Sequence, residues 1–70
     1  MKIHYNPKHD LLHIILKDVS KVRNQRVNDE MVLDIDKKGK VVGIEILDAS
    51  SYLGKQELFS VTVEQEKDFA

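Results

Sequence analysis

The histidines of this sequence are the side chains best suited to bind a transition metal or to transfer protons. His4 and His13 belong to two segments in which apolar and polar residues alternate, as they do in strands. Pairing of Tyr5 with Leu12 in a hairpin would place both histidines directly opposite each other, where two imidazoles can share one ion. A shifted register would place His13 beside Asn6 instead. No third ligand is evident, so we predict exposed histidines, with His4 and His13 as the candidates if a metal binds.

A second candidate site lies in residues 34–45, whose acidic residues nearly match the ligand spacing of a calcium-binding loop. The fifth position of that loop is Lys38, a cation where calcium needs an oxygen ligand. Both flanking segments alternate as strands, whereas such a loop lies between two helices. We therefore predict a β-hairpin here, across which Asp34, Asp36 and Glu45 form a solvated carboxylate group.

Sequence signatures of catalysis are missing. None of the serines lies in a G-x-S-x-G elbow, and there is no glycine-rich phosphate loop or dinucleotide fingerprint. Because the chain has no cysteine, it has neither a disulfide nor a thiolate metal site. A chain of 70 residues also builds a thin core that can hardly enclose a pocket. We predict a protein that is not an enzyme and has no cofactor.

Charge and hydropathy restrict the partners. The net charge is −1, from 11 basic and 12 acidic residues, which argues against nucleic acid and anionic membranes. The basic stretch 17–27 has no interleaved aromatic residues, so it is not typical of a nucleic-acid-binding surface. The most apolar stretch, 11–16, is too short to span a bilayer, and the N-terminus lacks the apolar core of a signal peptide. These features predict a soluble cytoplasmic protein.

Alternating apolar residues predict the strands of one small domain over residues 1–70. The expected strands are 2–6, 11–17, 30–36, 41–47 and a short edge strand within 18–29. Because the strands follow one another through short loops, an antiparallel meander is the natural topology. The predicted fold class is mainly β (α+β): a single antiparallel β-meander sheet with one short helix after the main hairpin.

Three residues are predicted to shape the turns. Gly39 fits the left-handed position of a hairpin turn that ends in a bulge. Asp48 ends the strand before it by capping a helix over residues 49–53, since its carboxylate can accept hydrogen bonds from amides two or three residues later. Gly54 fits the position at which this helix ends.

The tail of the chain follows no single pattern. Phe59, Val61 and Val63 alternate, which favours a strand, but the adjacent Leu58 and Phe59 break the alternation. The segment could add a strand to its own sheet, exchange with the sheet of a partner or form a helix. Of these alternatives, we predict a last strand over residues 57–64.

Three segments form a combination typical of one family: IHYNP at 3–7, DLLHIIL at 10–16 and VLDIDKKGKVVGIEILDAS at 32–50. The third is the most specific, because a hairpin, a glutamate and an Asp-Ala-Ser corner follow in this order. Together they resemble a family of small prokaryotic proteins, the domain of unknown function numbered twenty-two eighty-three. The resemblance covers about residues 2–53 and leaves out the tail, 54–70.

The resemblance implies a small β-rich protein without an assigned activity, and it provides no catalytic residues. Some members look like partners of toxins in antitoxin-type gene pairs, which would make this chain a protein-binding module. Relatives tend to have an aromatic and a charged residue on the second face of the second strand, where this chain has His13 and Ile15. This departure adds apolar surface to that face.

Apolar residues outside the predicted core face need a cover. We therefore predict a non-catalytic homo-oligomeric protein-interaction module, in the form of a homodimer that packs its sheets or exchanges its tails. An alternative is an antitoxin-like partner that uses the same surface to bind and neutralise a small toxin; a remote alternative is a metal-binding or hydrolytic protein. The predicted interface residues are Leu11, Ile15, Val41, Leu47 and Phe59.

Overall fold

The alternating segments form a single open antiparallel β-sheet, which is followed by two short helices. The computed structural model describes residues 1–67, so the last three residues of the predicted tail, 68–70, lie outside the described residues. The elements are β1 (Lys2–Asn6), β2 (Leu11–Ile15), β3 (Arg23–Arg26), β4 (Met31–Ile35), β5 (Val41–Ile46), α1 (Ala49–Leu53) and α2 (Lys55–Leu58). The predicted mainly β fold class is confirmed. No helix in the described part of the chain is long and apolar enough to cross a membrane.

The strand order is β1-β2-β5-β4-β3, which is not that of a meander with consecutive neighbours throughout. β1 pairs with β2, and β3, β4 and β5 follow one another, but β5 also pairs with β2. The connection 16–22 therefore carries the chain past β5 and β4 to the far edge of the sheet. It spans three strand spacings, ~14 Å, which a segment of this length reaches easily. The prediction that consecutive strands pair through short loops is right for each hairpin but wrong for the connection from β2 to β3.

One face of the sheet carries the core. Tyr5, Leu12 and Ile46 are direct partners on β1, β2 and β5, and direct partners share a face. The two helices cover this row with Ala49 and Leu58, which are buried together with Leu12 and Ile46. The main core cluster thus lies at the end of the sheet where β5 leads into α1, while Ile35 and Val42 are buried outside it, near the β4–β5 turn.

The start of α1 differs from its predicted cap. Asp48 has a φ of 50° and makes no side-chain cap hydrogen bond; its carbonyl accepts from the amides of Ser51 and Tyr52. The cap comes from Asp10 in the β1–β2 turn, whose carboxylate accepts from the Ser50 amide at 3.0 Å and the Ser50 hydroxyl at 2.7 Å. The predicted role of the Asp48 carboxylate was wrong, because a side chain distant in sequence occupies the helix start.

Asp10 joins the first hairpin to this helix. The Tyr5 hydroxyl donates to Asp10 Oδ1 at 2.7 Å, and the Ala49 amide donates to the Asp10 carbonyl at 3.0 Å. The hydrogen bonds from Ser50 and then from Tyr5 hold the pKa of the Asp10 carboxyl below its usual value. The turn residue therefore anchors the helix that covers the core.

Two glycines lie where the backbone needs a positive φ. Gly39 has a φ of 83° in the β4–β5 turn, which is closed by hydrogen bonds between Asp36 and Lys40 and between Gly39 and Asp36. The register of β4 against β5 shifts between Asp34 and Ile35, just before this turn. Gly54 has a φ of 86° and ends α1, with its amide donating to the Ser50 carbonyl.

The predicted strand over residues 57–64 is wrong. α2 occupies the beginning of this segment, and residues 60–67 have no regular secondary structure. Leu58, which interrupts the alternation of Phe59, Val61 and Val63, is buried in the core, while Phe59 is 71% exposed. The helix prevails because it brings one large apolar side chain into a core that has few of them.

Candidate functional site

The sheet face opposite the helices brings three ionisable side chains together from three adjacent strands. His13 on β2 and Glu45 on β5 are direct partners, and Asp34 on β4 is the partner of Gly43, two residues from Glu45 on β5. Since direct partners share a face, all three side chains project to the same side. One donor atom from each lies within 4.8 Å of the other two.

Hydrogen bonds connect this cluster across four strands. His13 Nε2 lies 2.7 Å from Asp34 Oδ2. Asn24 on β3 donates from Nδ2 to Asp34 Oδ1 at 2.7 Å and to Glu45 Oε2 at 3.2 Å. Asp34 is only 5% exposed, whereas His13 and Glu45 are half-buried. The cluster is therefore an ordered polar network with one side open to solvent.

Gly43 provides the space for this network. A Cβ atom on Gly43 would lie 2.6 Å from Asp34 Oδ2 and 3.3 Å from Asp34 Cβ and Cγ. Because glycine has no side chain, the Asp34 carboxylate can lie over the backbone of β5 and reach His13 on the next strand.

The two carboxyl groups titrate in opposite directions. Burial by itself raises the pKa of Asp34, but hydrogen bonds from Glu45 and His13 outweigh it and hold this pKa below its usual value. The hydrogen bond to Asp34, followed by burial, raises the pKa of Glu45 to about 7. The pair therefore shares one proton over the range in which an isolated glutamate is ionised.

We expect the free energy of unfolding to fall as the pH rises from about 5 to about 7. In this window the folded chain keeps the Glu45 proton that the unfolded chain, with its glutamate pKa of 4.5, has lost. The folded state thus binds more protons than the unfolded state in this window, so the free energy of unfolding decreases as the pH rises. One pKa unit corresponds to about 1.4 kcal/mol, and the partial exposure of Glu45 reduces the total to ~1–2 kcal/mol.

Urea unfolding at a series of pH values measures this slope. Glu45→Gln resembles the protonated side chain and should remove the slope, whereas Glu64→Gln, in the exposed tail, should keep it. A slope that survives in Glu45→Gln would assign the proton to another group.

The predicted metal candidates are only partly brought together. Of the two registers that the sequence left open, the structure has the one in which Tyr5 pairs with Leu12, and this register places His4 opposite His13. The three converging donors, however, include His13 and not His4. The predicted carboxylate group also divides: Asp36 stays in the turn, where its Oδ1 accepts from the amides of Lys38 and Lys40.

The sequence reasoning missed Asn24 and Gly43. Asn24 lies opposite Asp34 in the pairing of β3 with β4, and Gly43 lies opposite Asp34 in the pairing of β4 with β5. Only the pairing of β5 with β2 links segments far apart in the chain. The glycine between two apolar residues of a strand was the one available signal, since such a glycine often marks a close approach.

The predicted interface residues do not form one patch. Ile15 lies on the His13 face, since it is the partner of Gly43. Phe59 contacts Tyr5 of the core row, with the ring centroids 5.5 Å apart in an edge-to-face arrangement. Val41 is 42% exposed beside the hairpin turn. The two remaining residues are half-buried, namely Leu11 and Leu47.

Comparison with known proteins identifies a family. No curated protein and no solved structure matches this chain. A family model described as "Protein of unknown function (DUF2283)" matches residues 2–50 of the 70. The match includes all five strands and the three residues of the cluster, and it ends at the start of α1. The chain therefore belongs to the DUF2283 family.

Proposed function

We propose that this protein is a non-catalytic interaction module that assembles as a homodimer through the open part of its core face. The observation that carries the proposal is a second apolar row on this face, next to the row that the helices cover. Its members are direct partners on four adjacent strands: Ile3 is exposed, Ile14 and Leu33 are half-buried, and Ile44 is half-buried against the core cluster. An apolar row of this length needs a cover in a stable soluble protein.

The accessible surface supports the same conclusion. The chain exposes 5932 Å², whereas a compact monomer of 8.1 kDa exposes about 4,500 Å². The difference is on the order of 1,400 Å², and a standard interface buries about 800 Å² per partner. The half-buried row of the sheet and the exposed residues 59–67 both contribute to this surface, and a second copy could cover both.

The tail is the segment that we expect to provide part of the cover. It leaves α2 beside the core face, where Phe59 packs against Tyr5. Val61 and Val63 follow at alternate positions and are 61% and 82% exposed. A Val-Thr-Val stretch favours a pleated, half-buried environment. In a two-fold symmetric pair, each tail would lie against the open row of the other copy.

Ile3→Lys tests the proposal. Ile3 is 39% exposed on an edge strand, so a lysine there should leave the fold intact and place a charge in the interface. We expect the mass in solution, measured by light scattering, to fall from that of a dimer to that of a monomer.

The matched control is Val27→Lys, at a 54% exposed position between β3 and β4 and away from the row. This variant should keep the dimer mass. Circular dichroism of both variants checks the fold, and a dimer that persists in folded Ile3→Lys would place the interface elsewhere.

The antitoxin-like alternative assigns the same row to a different protein, such as a small toxin. It differs from the homodimer in that the purified chain alone would be a monomer. A monomer encoded beside a small toxin-like reading frame would favour this alternative over self-assembly.

A further inference from the structure

The donor set of the three-strand cluster is that of a metal site. It offers one imidazole nitrogen and two carboxylates, with donor atoms within 4.8 Å of one another. Calcium and magnesium prefer oxygen ligands alone, whereas imidazole suits zinc and its neighbours. We propose that His13, Asp34 and Glu45 bind one first-row divalent transition-metal ion, and that zinc is the ion which fits them best.

The distances allow coordination after small side-chain movements. Zinc bonds to nitrogen and oxygen are ~2.0–2.2 Å long, so ligand atoms around a tetrahedral ion lie ~3.4 Å apart. His13 Nε2 and Asp34 Oδ2 lie 2.7 Å apart in a hydrogen bond, so the ion would replace the shared proton and these two atoms would separate by ~0.7 Å. The farthest pair of donors, which lies within 4.8 Å, needs to approach by up to ~1.4 Å, which rotation of the half-buried Glu45 side chain can provide.

Two further residues support the proposed ligands. Asn24 holds Asp34 Oδ1 and Glu45 Oε2, which fixes both carboxylates and leaves Asp34 Oδ2 directed at His13. Gly43 leaves the space that the Asp34 carboxylate occupies. Such partners of the ligands orient them and typically contribute 10–100-fold in metal affinity.

The charge of the cluster also favours a cation. The carboxyl groups of Asp34 and Glu45 are neighbours, and two negative charges this close repel each other unless a proton or a cation lies between them. In residues 1–67 no lysine or arginine forms an ion pair with either of them; the one ion pair there joins Asp34 to His13. A divalent ion between the carboxylates would remove the repulsion.

Solvent can reach the proposed site. A pocket of about 120 Å³ opens beside His13 and Asp34. It has room for a few water molecules, each of which takes about 30 Å³. Three protein ligands leave a fourth position on zinc, which such a water can fill. The connection between β2 and β3 forms the other wall with Lys17, Asp18, Val19 and Val22.

Isothermal titration of the metal-free full chain with zinc chloride tests the site. We expect one ion per chain with a micromolar dissociation constant, no measurable binding by His13→Ala and about 10-fold weaker binding by Asn24→Ala. Glu45→Gln keeps the shape of the side chain, and we expect it to weaken zinc binding by about 10-fold, as Asn24→Ala does. Titration with cobalt(II) gives a second readout, because a bound four-coordinate ion produces a visible absorption band.

His4→Ala is the matched control, since His4 lies opposite His13 but outside the cluster. It should bind zinc as the unchanged chain does. Failure to saturate below millimolar zinc would overturn the proposal, and so would unchanged binding by folded His13→Ala or equal loss in His4→Ala. The monomeric Ile3→Lys variant should keep the site, so the metal proposal and the dimer proposal can fail separately.

Discussion

Replacement of Leu58 by alanine is expected to lower the free energy of unfolding by about 2–4 kcal/mol. Leu58 is 5% exposed and packs with Leu12, Ile46 and Ala49, so the shorter side chain leaves a cavity in the main core cluster. The cost is large for a small domain, whose total stability is commonly about 5 kcal/mol.

Phe59→Ala is the matched control, because Phe59 adjoins Leu58 but is 71% exposed. Its edge contact with Tyr5 limits the expected loss to about 0.5–1 kcal/mol. Both changes are measured by urea unfolding in the Ile3→Lys background, so that association does not contribute. In a tail that forms the strand predicted by its alternation, Phe59→Ala would lower the free energy of unfolding more than Leu58→Ala. That outcome would contradict the helix α2.

The second large effect is expected for Gly43→Ala, which should cost about 1–3 kcal/mol through steric overlap. The new Cβ would lie 2.6 Å from Asp34 Oδ2. The Asp34 carboxylate cannot move away without a free-energy cost, because His13 bonds to Oδ2 and Asn24 donates to Oδ1, each at 2.7 Å. Displacing it would break buried hydrogen bonds of an ionised group.

A double-mutant cycle isolates this overlap. In an Asp34→Ala background the clashing atoms are absent, so adding Gly43→Ala should cost much less than it does in the unchanged chain. Urea unfolding of the unchanged chain, the two single variants and the double variant gives the coupling free energy between Gly43 and Asp34. Equal costs in both backgrounds would show that Gly43 is needed for its backbone and not for the space above it.

The hairpins could be predicted from the sequence because their determinants are local. Alternation and a turn signal predicted the pairing of β1 with β2 and of β4 with β5, whereas the register of Tyr5 with Leu12 was one of two that the sequence left open. The pairing of β5 with β2 could not be predicted, because it depends on where the connection 16–22 crosses the sheet. The tail was misassigned because its period-two alternation covers only a few residues. Burial of Leu58 in the core favours the helix that the structure has there instead.

The cluster was predictable only in part for the same reason. Asp34 and Glu45 belong to one hairpin and were expected to meet, whereas His13 joins them through the β2–β5 pairing. Asn24 comes from β3, whose sequence, Arg-Asn-Gln-Arg, carries no apolar alternation. Polar side chains on an edge strand can be assigned to a site only when the pairing of that strand with its neighbours is known.

The mass of the unmodified chain in solution tests the central claim of a homodimer most directly. Light scattering or sedimentation equilibrium, over a wide range of protein concentrations, measures this mass without a label or a partner. The homodimer predicts twice the chain mass of 8.1 kDa, with dissociation only on dilution. A well-folded monomer of 8.1 kDa at every concentration would contradict it, and the open apolar row would then be a surface for a different protein.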